Sequence, residues 1–342
     1  MNEFERLRDH PVFICGHPKS GTTLLMALLD SHPQLVVYPA ETIFFRGLIP
    51  RFKSIDNAEK LTLAKRFLLH FFYLQPINPR VDSSAAIAQP DLAYIQYAET
   101  CRLMDNLLPS EKVRHDGDFL SAAILAFGKV HQKITPQTRY WVEKTPYNEY
   151  LTEQIFGWWP DARCIHVVRD PRDNYATYRR KHPNLPAERF SRSWSTSLKA
   201  GFQCQKQYGA KRYWILKYED LTQNPDQVIP ELARFLDIED HESLRTPTKN
   251  GVLWQGNSMF NERFSGISSH PLGRWKNELK PTDVAVIETA CQAGMKHMGY
   301  LPQSGFSLPA YGRLLRFYAL MTMRLPSDLL QTVRRHYGVM PQ

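Results

Sequence analysis

The stretch Val12-Phe13-Ile14-Cys15-Gly16-His17-Pro18-Lys19-Ser20-Gly21-Thr22-Thr23 decides the fold. Its apolar start, a short loop between two glycines and the apolar run that follows predict a buried strand, a phosphate-binding loop and a helix over Thr22–Asp30. Backbone N–H groups opening a helix, together with its dipole, attract an anion. Ser20, Thr22 and Thr23 add hydroxyl donors, and Gly21 lets the backbone approach the ligand closely. The glycine spacing fits the nucleotide-binding pattern G-x-x-x-x-G-K-[ST], but Thr22 stands where that pattern needs lysine. Lys19 lies inside the loop instead, where it can neutralise an oxyanion on a bound phosphate. This arrangement argues against an ordinary Mg-nucleotide hydrolase.

Outward from this loop, continuous apolar runs at Leu35–Tyr38, Tyr140–Val142, Cys164–Val168 and Trp214–Leu216 predict further strands buried on both faces. Tyr147–Trp158, Arg172–Lys181 and Pro225–Leu236 read as helices between them. The alternation predicts an α/β, P-loop-type three-layer fold with a central, mainly parallel sheet. From Phe45 to Phe127 the rhythm breaks into helical patterns, Leu61–Leu74 and Leu92–Leu108, which predict a helical insertion. The expected organisation is one domain over residues 1–300, with the insertion at about 45–127, and a basic amphipathic helical extension over 301–342.

With 342 residues, 43% hydrophobic, 12% aromatic and only 17 glycines, the chain is neither collagen-like, low in complexity nor wholly disordered. The charged start lacks the pattern of a signal peptide. The most apolar window, Tyr311 to Leu325, is interrupted by Arg313, Arg316 and Arg324, so no membrane-crossing segment is expected. The five cysteines, Cys15, Cys101, Cys164, Cys204 and Cys291, form no CxxC pair, which disfavours a disulfide framework or zinc ribbon and points to the cytoplasm. No metal is expected. Lys and Arg exceed Asp and Glu by 43 to 34, a formal +9, which suits either solubility or a polyanionic ligand.

A second constellation runs from Cys164 to Lys181, where a buried strand again meets a helix. Arg169 falls at the strand's carboxyl end, the edge at which open α/β sheets bind ligands. It is shaped for bidentate phosphate contact, or for a structural pair with Asp170 or Asp173.

Pro18-Lys19-Ser20-Gly21-Thr22-Thr23 followed by Val168-Arg169-Asp170-Pro171-Arg172 and Thr177 resembles the sulfotransferases that use 3′-phosphoadenylyl sulfate (PAPS). The resemblance spans roughly Val12 to Leu279 and points to the bacterial and tyrosylprotein-type branch. It implies that the first loop, Pro18 to Thr23, holds the 5′-phosphosulfate, that Arg169 and Thr177 hold the 3′-phosphate, and that Lys181 is a further cofactor-binding residue. Leu28-Leu29-Asp30-Ser31-His32-Pro33 leading to Glu41 looks like the segment that carries the family's glutamate base. Glu143-Lys144-Thr145-Pro146 looks like the segment whose lysine reaches the sulfuryl group. Tyr218, in Leu216 to Leu221, and Arg274, in Gly273-Arg274-Trp275-Lys276, match two further stretches near the nucleotide. The Arg-Lys-Gly triplet of the typical cytosolic branch is missing.

The resemblance therefore implies sulfuryl transfer from PAPS to an acceptor hydroxyl or amine, releasing 3′-phosphoadenosine 5′-phosphate (PAP). Glu41 would be the base, with Lys19 and Lys144 stabilising the transferring group. Other duties stay open: Glu41 could pair with Arg46, Lys144 with Glu143, and His17 is a second candidate base. His32, His166 and His270 lie near the matched segments and read as packed or solvated residues. The acceptor could be a small molecule, glycan, lipid or peptide, shaped by the insertion and the loop Trp254–Pro271. Of the aromatics there, Phe44, Phe45, Phe71, Phe72, Tyr73, Tyr94 and Tyr97, most are expected in the core. No nucleic-acid reading motif accompanies the charge. Peripheral membrane contact by the extension and a homodimer both stay open. The competing activities are a P-loop kinase or nucleotide hydrolase and a non-catalytic polyanion binder.

Overall fold

The structure, a computed structural model, describes residues 3–70 and 90–321. Phe71, Phe72, Tyr73, the end of the expected helix Leu61–Leu74 and the extension after residue 321 lie outside the described residues. The chain divides into two compact units, residues 1–169 with 197–272 and residues 170–196 with 273–342.

The first unit holds a five-stranded sheet: β1 (Pro11–Cys15), β2 (Leu35–Val37), β3 (Tyr140–Lys144), β4 (Arg163–Val168) and β5 (Tyr213–Lys217), in spatial order β2-β3-β1-β4-β5. Every neighbouring pair is parallel, because each strand reaches the next through helical crossovers. Strand side chains alternate between two cores. Phe13, Val36, Trp141, Cys164 and Tyr213 join one cluster. Val12, Ile14, Val37, Val142, Ile165 and Leu216 join the other. Burial on both faces explains why these strands read as unbroken apolar runs.

The second cluster is capped by the helices Thr22–Leu29 and Pro225–Leu236. The first is capped by the helix Asp118–Val130 and by Phe44, Phe45, Leu48, Met104 and Trp159. The expected inserted segment thus forms one outer layer, and among its described residues it contains no strand. Phe44 and Phe45 are core residues as expected, whereas Tyr94 is exposed. Two π-helical turns are present, Phe44–Leu48 after the left-handed Ile43 and Lys65–His70 directly after the helix Asn57–Ala64. Such turns are rare and recur at functional sites.

The second unit is helical: Pro171–Lys181, the opening of Ala187–Tyr208, Trp275–Glu278, Pro281–Ala290 and Gln292–His297. Its centre is charged. The Arg172 guanidinium donates to Asp170 and Glu288 at 2.6 and 2.5 Å and lies over the Trp275 ring at 4.3 Å. Asp173 accepts the Gly273 and Trp275 N–H groups at 2.7 and 3.0 Å, tying two sequence-distant segments. Residues 308–321 are helical, and Arg313 pairs there with Glu188 and Asp283. No helix among the described residues is long and apolar enough to cross a membrane.

Candidate active site

Three strand ends of the first unit meet along the sheet's carboxyl edge. The β1 end becomes the loop Gly16 to Gly21 and then the helix Thr22–Leu29. Gly16, Lys19 and Gly21 have φ of 128°, 67° and 105°, so the backbone turns repeatedly through the left-handed region. Within the loop the Ser20 N–H closes onto the His17 carbonyl at 3.2 Å, and the N–H groups of the helix's first turn, which lack intrahelical partners, are the backbone donors an anion would meet. Both glycines are obligatory. A Cβ on Gly16 would stand 2.3 Å from the Val167 carbonyl oxygen, and one on Gly21 would stand 2.2 Å from the Tyr218 ring.

Glu149 braces the loop from beneath, accepting the Gly16 N–H at 3.0 Å and the Ser197 hydroxyl. Burial pushes its carboxyl pKa up. Ser20 is fully buried, and its hydroxyl has no hydrogen-bond partner among the described residues. An unsatisfied buried hydroxyl is costly, and a bound anion would satisfy it. The loop residues therefore fit a phosphate or sulfate group.

Lys144 ends β3 opposite Ile14 of β1, and the chain after it is tied to the loop. Thr145 N–H donates to Ile14 O and Tyr147 N–H to Gly16 O, both at 3.2 Å. Lys144 is 4% exposed, and its ammonium lies 2.6 Å from Glu41 Oε1; the Glu41 side chain is 45% exposed. Neither alternative pairing occurs. Arg46 donates to the Pro146 carbonyl, and Glu143 accepts from Thr42 at 2.7 Å, Asn148 at 3.0 Å and Thr145. Burial raises the Glu143 pKa. Because Thr42 follows Glu41, the buried Glu143 fixes the backbone that carries the exposed carboxylate.

Arg169, at the β4 end, lies 4.8 Å over the Tyr218 ring and donates to the Pro271 carbonyl at 3.0 Å. Asp170 accepts Arg172 instead. Tyr218 is buried against Gly21, so its ring is a wall of the loop as well as a platform for Arg169. Thr177, Lys181 and Arg274 belong to the second unit. There Thr177 donates to the Asp173 carbonyl at 3.0 Å, Lys181 is exposed, and Arg274 opens the helix Trp275–Glu278.

The histidines separate by environment. His17 is buried beside the loop, its Nδ1 at 3.1 Å from Pro18 O and its ring edge-on to Tyr147. His166 lies below, 2.9 Å from the Tyr213 hydroxyl. Burial, with repulsion from His17, pulls its pKa down to about 3. His32 bonds the Glu239 carbonyl and is structural; His270 is exposed beside Glu262. Sequence spacing showed no metal cluster, but folding brings Asp9, His115 and Asp118 together. Arg8 and Arg114 already occupy those carboxylates. Sequence reasoning also missed Glu149 and Glu143 as supports of the site, since a lone glutamate in a helical or β pattern carries no local mark of burial.

A model of the sulfotransferase family matches residues 11–242, a span containing the loop, Glu41, Lys144, Arg169 and Tyr218. The sulfotransferase domain of the Synechococcus PCC 7002 olefin synthase is 20% identical, with a TM-score of 0.53 over 85% of this chain and 95% of that one. The sulfotransferase domain of the curacin biosynthetic pathway is 18% identical, with a TM-score of 0.52 over 85% of this chain and 97% of that one. These likenesses show a shared fold. An uncharacterized protein of Aquifex aeolicus (strain VF5) is 24% identical over 241 residues, 67% of this chain; the chain spans about a quarter of that relative's length, 25%. On the family match and the α/β, P-loop-type fold, the chain belongs to the sulfotransferase family.

Proposed function

We propose that the protein transfers the sulfuryl group of PAPS to an acceptor hydroxyl, with Glu41 as base and Lys19 and Lys144 as fixed cations. The observation that carries this reading is the Glu41–Lys144 pair, tied to the phosphate loop through Thr145 and Tyr147. A carboxylate, its lysine partner and the loop are thereby linked at the ends of two adjacent strands, β1 and β3, which supports the reading.

In the proposed reaction Glu41 takes the acceptor proton as the acceptor oxygen bonds to sulfur. The sulfur–oxygen bond to the 5′-phosphate breaks, and its electron pair leaves with PAP. Lys19 and the loop N–H groups, with the Ser20 hydroxyl, meet the charge gathering on the leaving phosphate. Lys144 orients Glu41, and its remaining ammonium protons are donors for the sulfuryl oxygens. Fixed cations supply the charge stabilisation, so the reading invokes no metal. Pro18, Gly21, Thr22 and Thr23 complete the 5′ contacts, and Arg169 on its Tyr218 platform serves the 3′-phosphate. In the second unit, Thr177, Lys181 and Arg274 are proposed 3′-phosphate ligands on the resemblance alone.

Calorimetric titration with PAP, beside ADP and Mg-ATP at one salt concentration, tests the donor. The reading expects tight PAP binding that is lost without the 3′-phosphate. Preference for Mg-ATP overturns it in favour of a kinase or hydrolase.

A further inference from the structure

We propose that the cavity beside Glu41 accepts an alcohol with an apolar body and an anionic group, the anion being read by Arg51 and Arg66. This deepens the sulfuryl-transfer reading and rests on it for the role of Glu41. The cavity measures about 620 Å³, within the ~300–1,000 Å³ of pockets that enclose small organic ligands. Glu41 is the acidic residue of its lining, and Lys144 already holds that carboxylate. Arg51 and Arg66 line the same space. Among the described residues, neither arginine has a carboxylate at ion-pair distance. Arg51 lies 5.2 Å over the Phe67 ring, a contact that restrains the guanidinium without neutralising it.

The rest of the wall is apolar: Ile43, Leu63, Phe67 and Leu68, with Tyr38 and Ala40 behind. Ile43 is the telling residue. It adopts φ 49° and ψ 25°, a left-handed conformation costly for a β-branched residue, yet its side chain is 43% exposed. The turn is held by the Ile43 N–H donating to the Thr145 hydroxyl at 3.3 Å and by the Ile43 carbonyl accepting the Gly47 N–H at 2.7 Å, so the fold fixes an exposed apolar side chain in the cavity wall, where a ligand would cover it. The opposite wall is braced as well, since the Tyr38 hydroxyl donates to the Leu68 carbonyl at 2.5 Å within the π-turn that carries Arg66 and Phe67. A polyol would leave this apolar wall unmatched, and a neutral hydrocarbon alcohol would leave two arginines with no counter-charge.

The test uses 12-hydroxydodecanoate and its methyl ester as probes. Calorimetry would follow both ligands binding to the wild-type chain and to the Arg51→Gln/Arg66→Gln double variant, each with and without saturating PAP. Exposed ion pairs are weak individually, so the pair should give the acid about a tenfold tighter affinity than the ester. The double variant should reduce that preference to about twofold or less, with PAP affinity and the thermal unfolding midpoint unchanged. Equal affinity for acid and ester, binding of neither, or a preference that survives in the double variant overturns the proposal. If the acid preference holds while PAP fails to bind, the donor reading falls and the anionic cavity stands. The reverse pattern overturns the cavity alone.

Discussion

The glycine-bounded loop after β1 and the cavity beside Glu41 lie in the same unit but are built by opposite means. The loop hangs on strand ends. Its first N–H is held by buried Glu149, its glycines admit no side chain, and Tyr218 walls it in. The cavity is lined by the segment Tyr38 to Ile43 and by one π-turn, Lys65–His70, with exposed arginines and a strained, water-facing isoleucine. Glu41 and Glu143 reproduce the contrast in miniature: one carboxylate is half exposed on a lysine, the other fully buried on Thr42, Thr145 and Asn148. On the proposed reading, a donor that is always the same molecule rewards preorganisation, whereas the wall beside Glu41 is where chemistry can vary without disturbing the sheet.

Substitutions can break this comparison from the donor side first. Lys19→Ala should lower turnover by about a thousandfold, the scale of losing one fixed charge-stabilising group, with the unfolding midpoint preserved. Steady-state sulfuryl transfer beside thermal denaturation reads both, and a loss below tenfold would remove Lys19 from the chemistry. Glu41→Gln should lower kcat by about a hundredfold while PAP affinity stays within about twofold, because general-base catalysis acts only in the transfer step. Its failure would shift attention to His17, the other candidate base.

A smaller effect should appear in pH dependence. His166 lies under the loop, its Cδ2 3.1 Å from where a Gly16 Cβ would stand, and its pKa is lowered to about 3. The unfolded chain protonates this histidine below its ordinary value of about 6.5 while the folded chain does not. Its contribution is therefore complete above that value and is lost as pH falls toward 3. At pH 5 the loss should be about 2 kcal/mol. The stability gap between wild type and His166→Gln, from urea unfolding at pH 7 and pH 5, should narrow by that amount. An unchanged gap would show that His166 is protonated in the folded chain.

Thr42→Val should be milder, removing one of the donors to buried Glu143 at a cost of about 1–2 kcal/mol. Because Thr42 adjoins Glu41, it should also reduce kcat with little change in PAP affinity. A variant equal to wild type in both would uncouple Glu143 from the placement of the base.

Much of this was legible in the chain. The run Val12 to Thr23 specified strand, loop and helix, because apolar continuity, paired glycines and helix-opening hydroxyls are local signals. Pro225–Leu236 was likewise bounded by its own residues, with proline at the start and Asp237 in a left-handed cap at the end. The π-turns were not legible: Lys65–His70 lies in the stretch Leu61–Leu74 that reads as ordinary helix, and Phe44–Leu48 carries no pattern of its own, since the extra residue per turn is imposed by packing. The long helix Ala187–Tyr208 was also missed, because serines and charges interrupt its apolar stripe.

The sequence alone determined which residues could do chemistry: a lysine within a glycine-bounded loop, a glutamate beyond the first helix, a lysine in Glu143-Lys144-Thr145-Pro146 and an arginine at a strand end. Only the tertiary structure decided whom they meet. Lys144 chose Glu41 over its neighbour Glu143 because adjacent strand residues point to opposite faces, so one glutamate was buried beneath the sheet edge and a distant one was brought above it. Partner choice over a hundred residues of chain is a property of strand register, which no local pattern of residues contains.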